Sequence, residues 1–519
     1  MEQHGRLLAL AIVALAATWF VGVFSLTRNG PLPPDAAAYG VIARNLARGD
    51  GYTESFVPFH PGPYDSIRHL PDLHGLLAPA LLAPLFALQG GASAAAVRVP
   101  AALAVPGIAL VVFALARRLF GATPAFLAAL VVLASPSLVL YAALGTDDTG
   151  FTLLATAVIA LLALAVQEGR PRLLVAAGLV GAVAILEKPT GVFLPALGVV
   201  AALILRRTAP VPTSAALGLL VPSVLAFGVY LARNQIAHGS PDFRFGGLEW
   251  IWKDSGFEGM MALYERPPST LETVRRLGLA RVLEITREQF ELFARTTFRL
   301  RPVLAAGPHD LGTVAVPAFL PFLALLPLPW LWRRTPSLVA LVVATFVTAP
   351  LVVCALWHPE PRYFAVFIPL AALVLAGTIG GSLAGRAALA ALVLVSAIGA
   401  VRTARAFPPA PRHACLAVLG EPTAASISGP IMTPDPWGVA WLADRETVMT
   451  PSGDLYAIAS VARRYDTRLI LVHPMLGRQT TMALLANLEG ASGPIRLTTI
   501  ARHGACRLAR LDVLGDPRP

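Results

Sequence analysis

A chain of 519 residues in which 56% are hydrophobic and only 14% charged carries too little polar surface for a soluble protein of its size. Its net charge of +11, from 41 Lys and Arg against 30 Asp and Glu, would point to nucleic acid in a soluble chain. Much of the basic excess instead lies in short loops between apolar runs, at Arg117 and Arg118, Arg170 and Arg172, Arg206 and Arg207, Arg333 and Arg334, and Arg386. Such loops are cytoplasmic anchors under the positive-inside rule, so the expected partner is a bilayer and not nucleic acid.

The first run, "LLALAIVALAATWFVGVFSL" at residues 7–26, is long enough to cross hydrocarbon and has Arg6 upstream. "SLTRNG" offers no small-x-small cleavage site, so the run reads as a retained span and not a signal peptide. Further spans are predicted near 97–116, 122–142, 150–166, 172–187, 191–205, 213–232, 311–331, 336–356, 364–383 and 386–402, about eleven in all. The piece "LLAPALLAPLFAL" at 76–88 decides the parity. Counted as a span, it inverts every later loop and puts Arg117 and Arg118 outside; a segment of ~10 to 14 apolar residues is in any case interfacial or re-entrant. Without it every basic loop falls on the side of Arg6, the amino terminus is inside, and the segments 27–96, 233–310 and everything after about 403 share the outer face.

In the first outer segment, "PPDAAAYGVIARNLARGDGY" at 33–52 places Tyr39, Ile42, Ala43 and Leu46 at helical spacing, with Arg44, Asn45 and Arg48 off that stripe and Gly49, Asp50 and Gly51 ending the run. This is a short amphipathic helix. Asp35 at its start has two readings, an N-cap after Pro33 and Pro34 or a functional acid. "SIRHLPDLHG" then brings Arg68, His69, Asp72 and His74 to the loop before the re-entrant piece. Neither the order nor the spacing of its Asp and His residues fits a metal site, so none is expected.

Asp147 and Asp148 lie where the chain turns back into the membrane, either as a helix cap or as part of a site, since acids at the mouth of an apolar span are costly unless wet or paired. Glu187 and Lys188 at a helix end either pair with each other or leave Lys188 for another partner. The second outer segment contains "RNQIAHGSPDF", "EWIWKD" and "TREQFELFARTTF", aromatics and mixed charge suited to the headgroup region. Arg233 opens it. Arg362, in "EPRYF", marks the outer edge of the tenth span.

The tail, 403–519, is less apolar and reads as a small α/β domain. "GPIMTPDP" and "ETVMTPS" are strands ending in turns, "DLYAIASVARRYD" an amphipathic helix and "TRLILVHP" a buried strand. No glycine-rich phosphate fingerprint accompanies them, and no cofactor is expected. Cys415 and Cys506 lie near the two ends of this domain, where a disulfide would stabilise it by ~4 to 5 kcal/mol on loop-entropy grounds; two free thiols are the alternative.

The stretches "DAAAYGVIARNLARGDGYT", "ARRLFG", "TDDTGFTLL", "EKPTG", "RNQIAHG" and "HPEPRYFAVFIPLAALVLA" follow one another in an order that resembles the GT-C superfamily of membrane glycosyltransferases. The likeness is to bacterial relatives of protein O-mannosyltransferases and aminoarabinose transferases, over roughly residues 5–400. It implies an α-helical polytopic domain, 1–402, with an extracytoplasmic α/β domain, 403–519, in the plasma (inner) membrane of a bacterium. It also implies inverting transfer of a sugar from a polyprenyl-phosphate donor to a hydroxyl of a glycan, lipid or protein. Asp35 matches the family's acid in the first outer loop and would be the base. Arg44, Arg68, His69, Lys188 and Arg362 would hold the donor phosphate, because guanidinium and ammonium groups grip phosphate oxygens, and Tyr39, Asp148 and Arg233 would contact donor or acceptor. Ala36 stands where some relatives carry a second acid. A transporter and an inactive lipid-binding relative are the rival readings; a transporter more often shows repeated halves and charges at mid-span.

Overall fold

The computed structural model describes residues 2–58, 64, 66–71, 74–207, 210–239, 241, 253–254, 270–298, 324–356, 359–405, 416–420, 427–473 and 480–515. The first apolar run forms α1 (Glu2–Thr27), followed by the amphipathic α2 (Pro34–Arg48), which ends where Gly49 takes a left-handed φ of 85°. The re-entrant piece is α3 (Leu77–Gln89), too short to span, and it packs on α2. Next come α4 (Ala94–Phe120), the pair α5 (Ala122–Leu133) and α6 (Pro136–Leu144), α7 (Asp148–Glu168) and α8 (Arg172–Glu187). Pro136 cannot donate back to the preceding turn, and the chain bends by 49° between α5 and α6.

After a 3-10 turn, Pro189–Phe193, come α9 (Leu194–Leu205) and α10 (Thr213–His238). In the second outer segment lie α11 (Thr270–Leu277) and α12 (Leu279–Phe298), followed by α13 (Leu328–Trp332), α14 (Pro336–Leu356), α15 (Phe367–Ile379) and α16 (Leu383–Arg405). Among the described residues seven helices are long and apolar enough to cross a membrane, and the bent pair makes an eighth. This is a multi-pass membrane protein. The expected spans 172–187 and 191–205 are helices too, but shorter; that expected at 311–331 lies largely outside the described residues, as do Asp72 and most of "EWIWKD". One apolar core joins α1, α4, α5, α7 to α10, α14 and α15.

Arg98, in α4, is a residue the sequence reading passed over. It is fully enclosed, and its guanidinium donates to the carbonyls of Ala143 (2.6 Å), Ala94 (3.2 Å) and Pro31 (2.5 Å). These bonds tie the chain just ahead of α2 to the ends of α4 and α6, so they fix where α2 begins.

The tail folds as predicted at β2 (Ile431–Thr433), β3 (Thr447–Met449), α18 (Leu455–Arg464) and β4 (Leu469–Val472), with α17 (Pro436–Ala443) between β2 and β3 and α19 (Thr480–Ala486) after β4. Three further strands, β5 (Gly490–Ser492), β6 (Ile495–His503) and β7 (Cys506–Val513), extend the sheet as antiparallel neighbours. The other edge comes from far away. Strand β1 (Phe56–Val57), in the first outer segment, pairs in parallel with β3, and the sheet order is β1-β3-β2-β4-β7-β6-β5. The boundary expected between 402 and 403 is therefore not a clean division, because the first outer segment belongs to both parts. Cys506 is disulfide-bonded, and Cys415 lies outside the described residues.

Helix α17 lies directly on α2. The Trp441 ring packs so close to Gly40 that a Cβ there would sit 2.6 Å from it, so only glycine lets the two helices approach this far. Gly40→Val is expected to lower the thermal unfolding midpoint in detergent by several degrees, and Trp441→Ala in the same chain to return more of it than additivity allows.

Candidate active site at the mouth of the helical bundle

Asp35 is the second residue of α2, and it does not cap the helix: the N-cap is Pro33, with no side-chain cap bond. Its carboxylate forms an ion pair with Arg362 and remains 38% exposed. Arg362 stands in the 3-10 turn Pro361–Phe364 that leads into α15. It also binds Glu360 at 2.5 Å, lies 3.8 Å from a carboxylate oxygen of Asp148, and sits 5.4 Å from the Tyr363 ring.

Asp148, the first residue of α7 and 1% exposed, accepts a hydrogen bond from the Thr146 hydroxyl at 2.7 Å and pairs with Lys188. Lys188 also holds Asp147 at 3.1 Å and lies 4.6 Å from the Tyr363 ring. Of the two readings of Lys188, pairing with its neighbour Glu187 gives way to these two acids, because Lys188 stands in extended backbone where α8 ends and turns towards α7. Asp147 occupies the N-cap position of α7 but makes no side-chain cap bond. Its partners are Lys188 and the Tyr39 hydroxyl.

Tyr39 and Asp35 share one face of α2, four positions apart. Burial first, then the nearby carboxylates of Asp147, Asp35 and Glu187, push the Tyr39 phenol well above its ordinary value, so it is a hydrogen-bond donor and not a base. Burial alone would raise Asp35. The positive field of Arg362, with His74 and Lys188, overcomes that and holds the carboxyl at about 2.

Sequence reasoning thus identified Asp35, Tyr39, Asp148, Lys188 and Arg362, which converge. Others point elsewhere. Arg44 lies nine positions beyond Asp35, which on a helix of ~100° per residue is about 180° round and ~13 Å along. It donates to the carbonyls of Trp441 (3.1 Å) and Ala440 (2.9 Å) and pairs with Asp444 at 3.1 Å, so it holds α17 and not the Asp35 cluster. Arg68 pairs with Asp50 at 3.0 Å and is within 4.0 Å of Glu446. His69 is 3.0 Å from the buried Glu54 and stacks on Tyr64 at 4.1 Å. Arg233 donates to the His74 carbonyl at 3.1 Å and lies over Tyr230 at 4.8 Å. Glu360 and the Asp147 contact to Tyr39 were missed. For Glu360 the signal was its place two residues before Arg362.

Against known proteins, residues 73–230 match the family model of dolichyl-phosphate-mannose-protein mannosyltransferases. No curated protein matches the chain. Among solved structures it is similar to ArnT from Cupriavidus metallidurans bound to undecaprenyl phosphate, at 17% identity over 97% of both chains with a TM-score of 0.56. It is also similar to the Archaeoglobus fulgidus oligosaccharyltransferase in the apo form, at 14% identity over 89% of this chain and 69% of that one, TM-score 0.54. The fold is that of ArnT and of the archaeal oligosaccharyltransferase. In it the Asp35 cluster gathers side chains from α2, the start of α7, the end of α8 and the turn before α15. Among the described residues no group of three or more His, Cys, Asp and Glu is arranged to hold a metal ion.

A folded Asp35 with its proton affinity lowered stabilises the fold above the ordinary aspartate range, ~3.9, and that contribution is lost as pH falls towards about 2. Arg362→Gln removes the largest lowering influence and leaves burial opposed only by His74 and Lys188, so the proton affinity of Asp35 rises. Thermal midpoints in detergent are expected to fall between pH 4 and pH 2 through this pair in the parent chain. The variant is expected to gain stability relative to the parent over the same range.

Proposed function

We propose that the protein transfers a sugar from a polyprenyl-phosphate donor to an acceptor hydroxyl at the outer face of a bacterial plasma membrane, with inversion. The carrying observation is the Asp35–Arg362 pair, an acid half open to solvent held against a cation at the mouth of a GT-C bundle. The positive loops at the opposite ends of the helices support the outer-face placement. ArnT binds undecaprenyl phosphate in its solved structure, and the archaeal oligosaccharyltransferase AglB was solved with a dolichol-phosphate and an inhibitory peptide, at 14% identity over 89% of this chain and 69% of that one, TM-score 0.50.

In this reading Asp35 takes the proton as the acceptor oxygen forms its bond to the anomeric carbon. The bond from that carbon to the phosphate oxygen breaks, and its electron pair leaves with the lipid phosphate. Arg362 and Lys188 take up the phosphate charge, and Tyr39 and Asp148 contact the reacting sugars. A carboxyl at about 2 is a weak base. Asp35, Asp147, Asp148 and Glu360 also outnumber Arg362 and Lys188 around the site. Both facts are reconciled if the donor phosphate displaces Asp35 from Arg362, because the arriving anion then satisfies the guanidinium and returns basicity to Asp35. Arg44, Arg68, His69 and Arg233 enter the reading as groups that hold the loop and the outer domain.

Asp35→Asn is expected to lower transfer to a hydroxyl acceptor by ~10² to 10⁴-fold, the range of a general base, while purified protein still binds polyprenyl phosphate. A variant that keeps its transfer rate would remove Asp35 from the chemistry, and one that has no rate to lose under any donor and acceptor would favour a transporter or a binding protein.

A further inference from the structure

Beside the Asp35 cluster a groove of about 390 Å³ runs between α2, α3, α4 and α7. Its walls are apolar, with Leu81, Leu82 and Leu85 from α3, Leu103 from α4 and Leu153 and Leu154 from α7. Leu81 and Leu103 are about half exposed, at 49% and 50%, so the groove opens on the side where the bilayer lies. Its inner end is polar and acidic, formed by Tyr39, Thr146, Asp147 and Glu187.

Glu187 is the informative member. It is 4% exposed, its carboxylate accepts from the Ala78 backbone, and its Oε2 atom has no hydrogen-bond partner. The chain is built to keep it there. Leu76 donates to the Leu186 carbonyl at 2.9 Å, Gly75 lies so close to the Glu187 carbonyl that a Cβ would fall 1.9 Å from it, and a Cβ on Gly150 would fall 2.8 Å from Oε1. A buried acceptor with no donor is costly unless something donates to it.

We infer that this groove is the acceptor subsite, and that the acceptor is an amphiphile whose apolar tail lies along α3, α4 and α7 and whose uncharged hydroxyl or amine head donates to Glu187. The inference rests on the glycosyl-transfer reading and narrows it from glycan, lipid or protein to a lipid-borne acceptor. Charge decides which substrate enters. Asp147, ion-paired with Lys188, and the Glu187 carboxyl face the groove, so a phosphate brought there meets the Asp147 anion, whereas a hydroxyl or a neutral amine meets acceptors. The phosphate belongs on the side of Arg362. Tyr39 joins the two halves, because it lines the groove four positions from Asp35 on the same face of α2, which puts a head group at the inner end next to the base.

Binding can be read without turnover. The full chain in nanodiscs is exposed to a photoreactive alkyl glucoside and, separately, to an alkyl phosphate with the same photoreactive tail, and the labelled peptides are mapped by mass spectrometry. The glucoside is expected to label the segments carrying Leu81, Leu103 and Leu154 at least fivefold more than the phosphate does. Leu103→Trp, which fills the groove from its rim, should reduce that labelling at least fivefold, and Glu187→Leu should erase the preference of glucoside over phosphate. Farnesyl phosphate titration should be unchanged by Leu103→Trp, which also shows that the variant is folded. Labelling by the phosphate probe equal to or above that by the glucoside would assign the groove to the donor's tail. Absence of labelling by both would show that it is not a subsite, and displacement of the glucoside by a soluble peptide would assign it to a protein acceptor. Each of these three outcomes overturns the inference while leaving the Asp35→Asn result to judge transfer on its own.

Discussion

The ion pair between Asp35 and Arg362 joins residues 327 positions apart, and most of what is distinctive about the bundle mouth depends on it. Charges this close to hydrocarbon are tolerated when each has a partner. Arg362 satisfies Asp35, Glu360 and Asp148, Lys188 satisfies Asp147 and Asp148, and through them α2, α7, α8 and the turn before α15 are held at one point. Removing either cation would leave acids buried without compensation, a larger effect than the loss of a surface pair.

The constraint runs back along α2. Its start is set by Arg98 gripping the Pro31 carbonyl, its middle by the close approach of Gly40 to Trp441, and its far end by Arg44 bonding to the carbonyls at the end of α17. A guanidinium at the C-terminal carbonyls of a helix is favoured by both hydrogen bonding and the helix dipole. Three independent contacts therefore fix the axial position of the helix that carries the acid, and two of them come from the C-terminal domain. The division of labour at the mouth follows, with cations gathered at the turn before α15 and acids at the inner end of the apolar groove.

Apolar runs and basic loops made the helical architecture legible, down to the re-entrant piece left out of the span count, because hydrophobic length is set by the bilayer and not by tertiary detail. The strands β2, β3 and β4 and the helix α18 were readable from local pattern. Strand β1 was not, since a two-residue strand has no periodicity and its partner is elsewhere in the chain. Of the candidate site residues, Asp35, Asp148, Lys188 and Arg362 lie together at the bundle mouth, and each is conspicuous in the sequence as a charged residue at the edge of an apolar run. The pairing among them was not, as Lys188 could be assigned to Glu187 until the backbone turn at the end of α8 was known. Arg44, whose phosphate-binding role came only from the family resemblance, is turned by helix geometry to the far side of α2 from Asp35. Arg98 was hidden by its surroundings, as one arginine in an alanine-rich run carries no pattern that reveals the backbone carbonyls waiting for it.

The pairing of β1 with β3 has a bearing on biogenesis. The two strands are separated by about 390 residues, so at ~5 to 20 residues per second the ribosome needs ~20 to 80 s between making one and making the other. Throughout that interval one side of the β1 backbone is without its partner strand. A strand of two residues offers almost no template to neighbouring chains, so its brevity protects the nascent protein while it waits for the last domain to arrive.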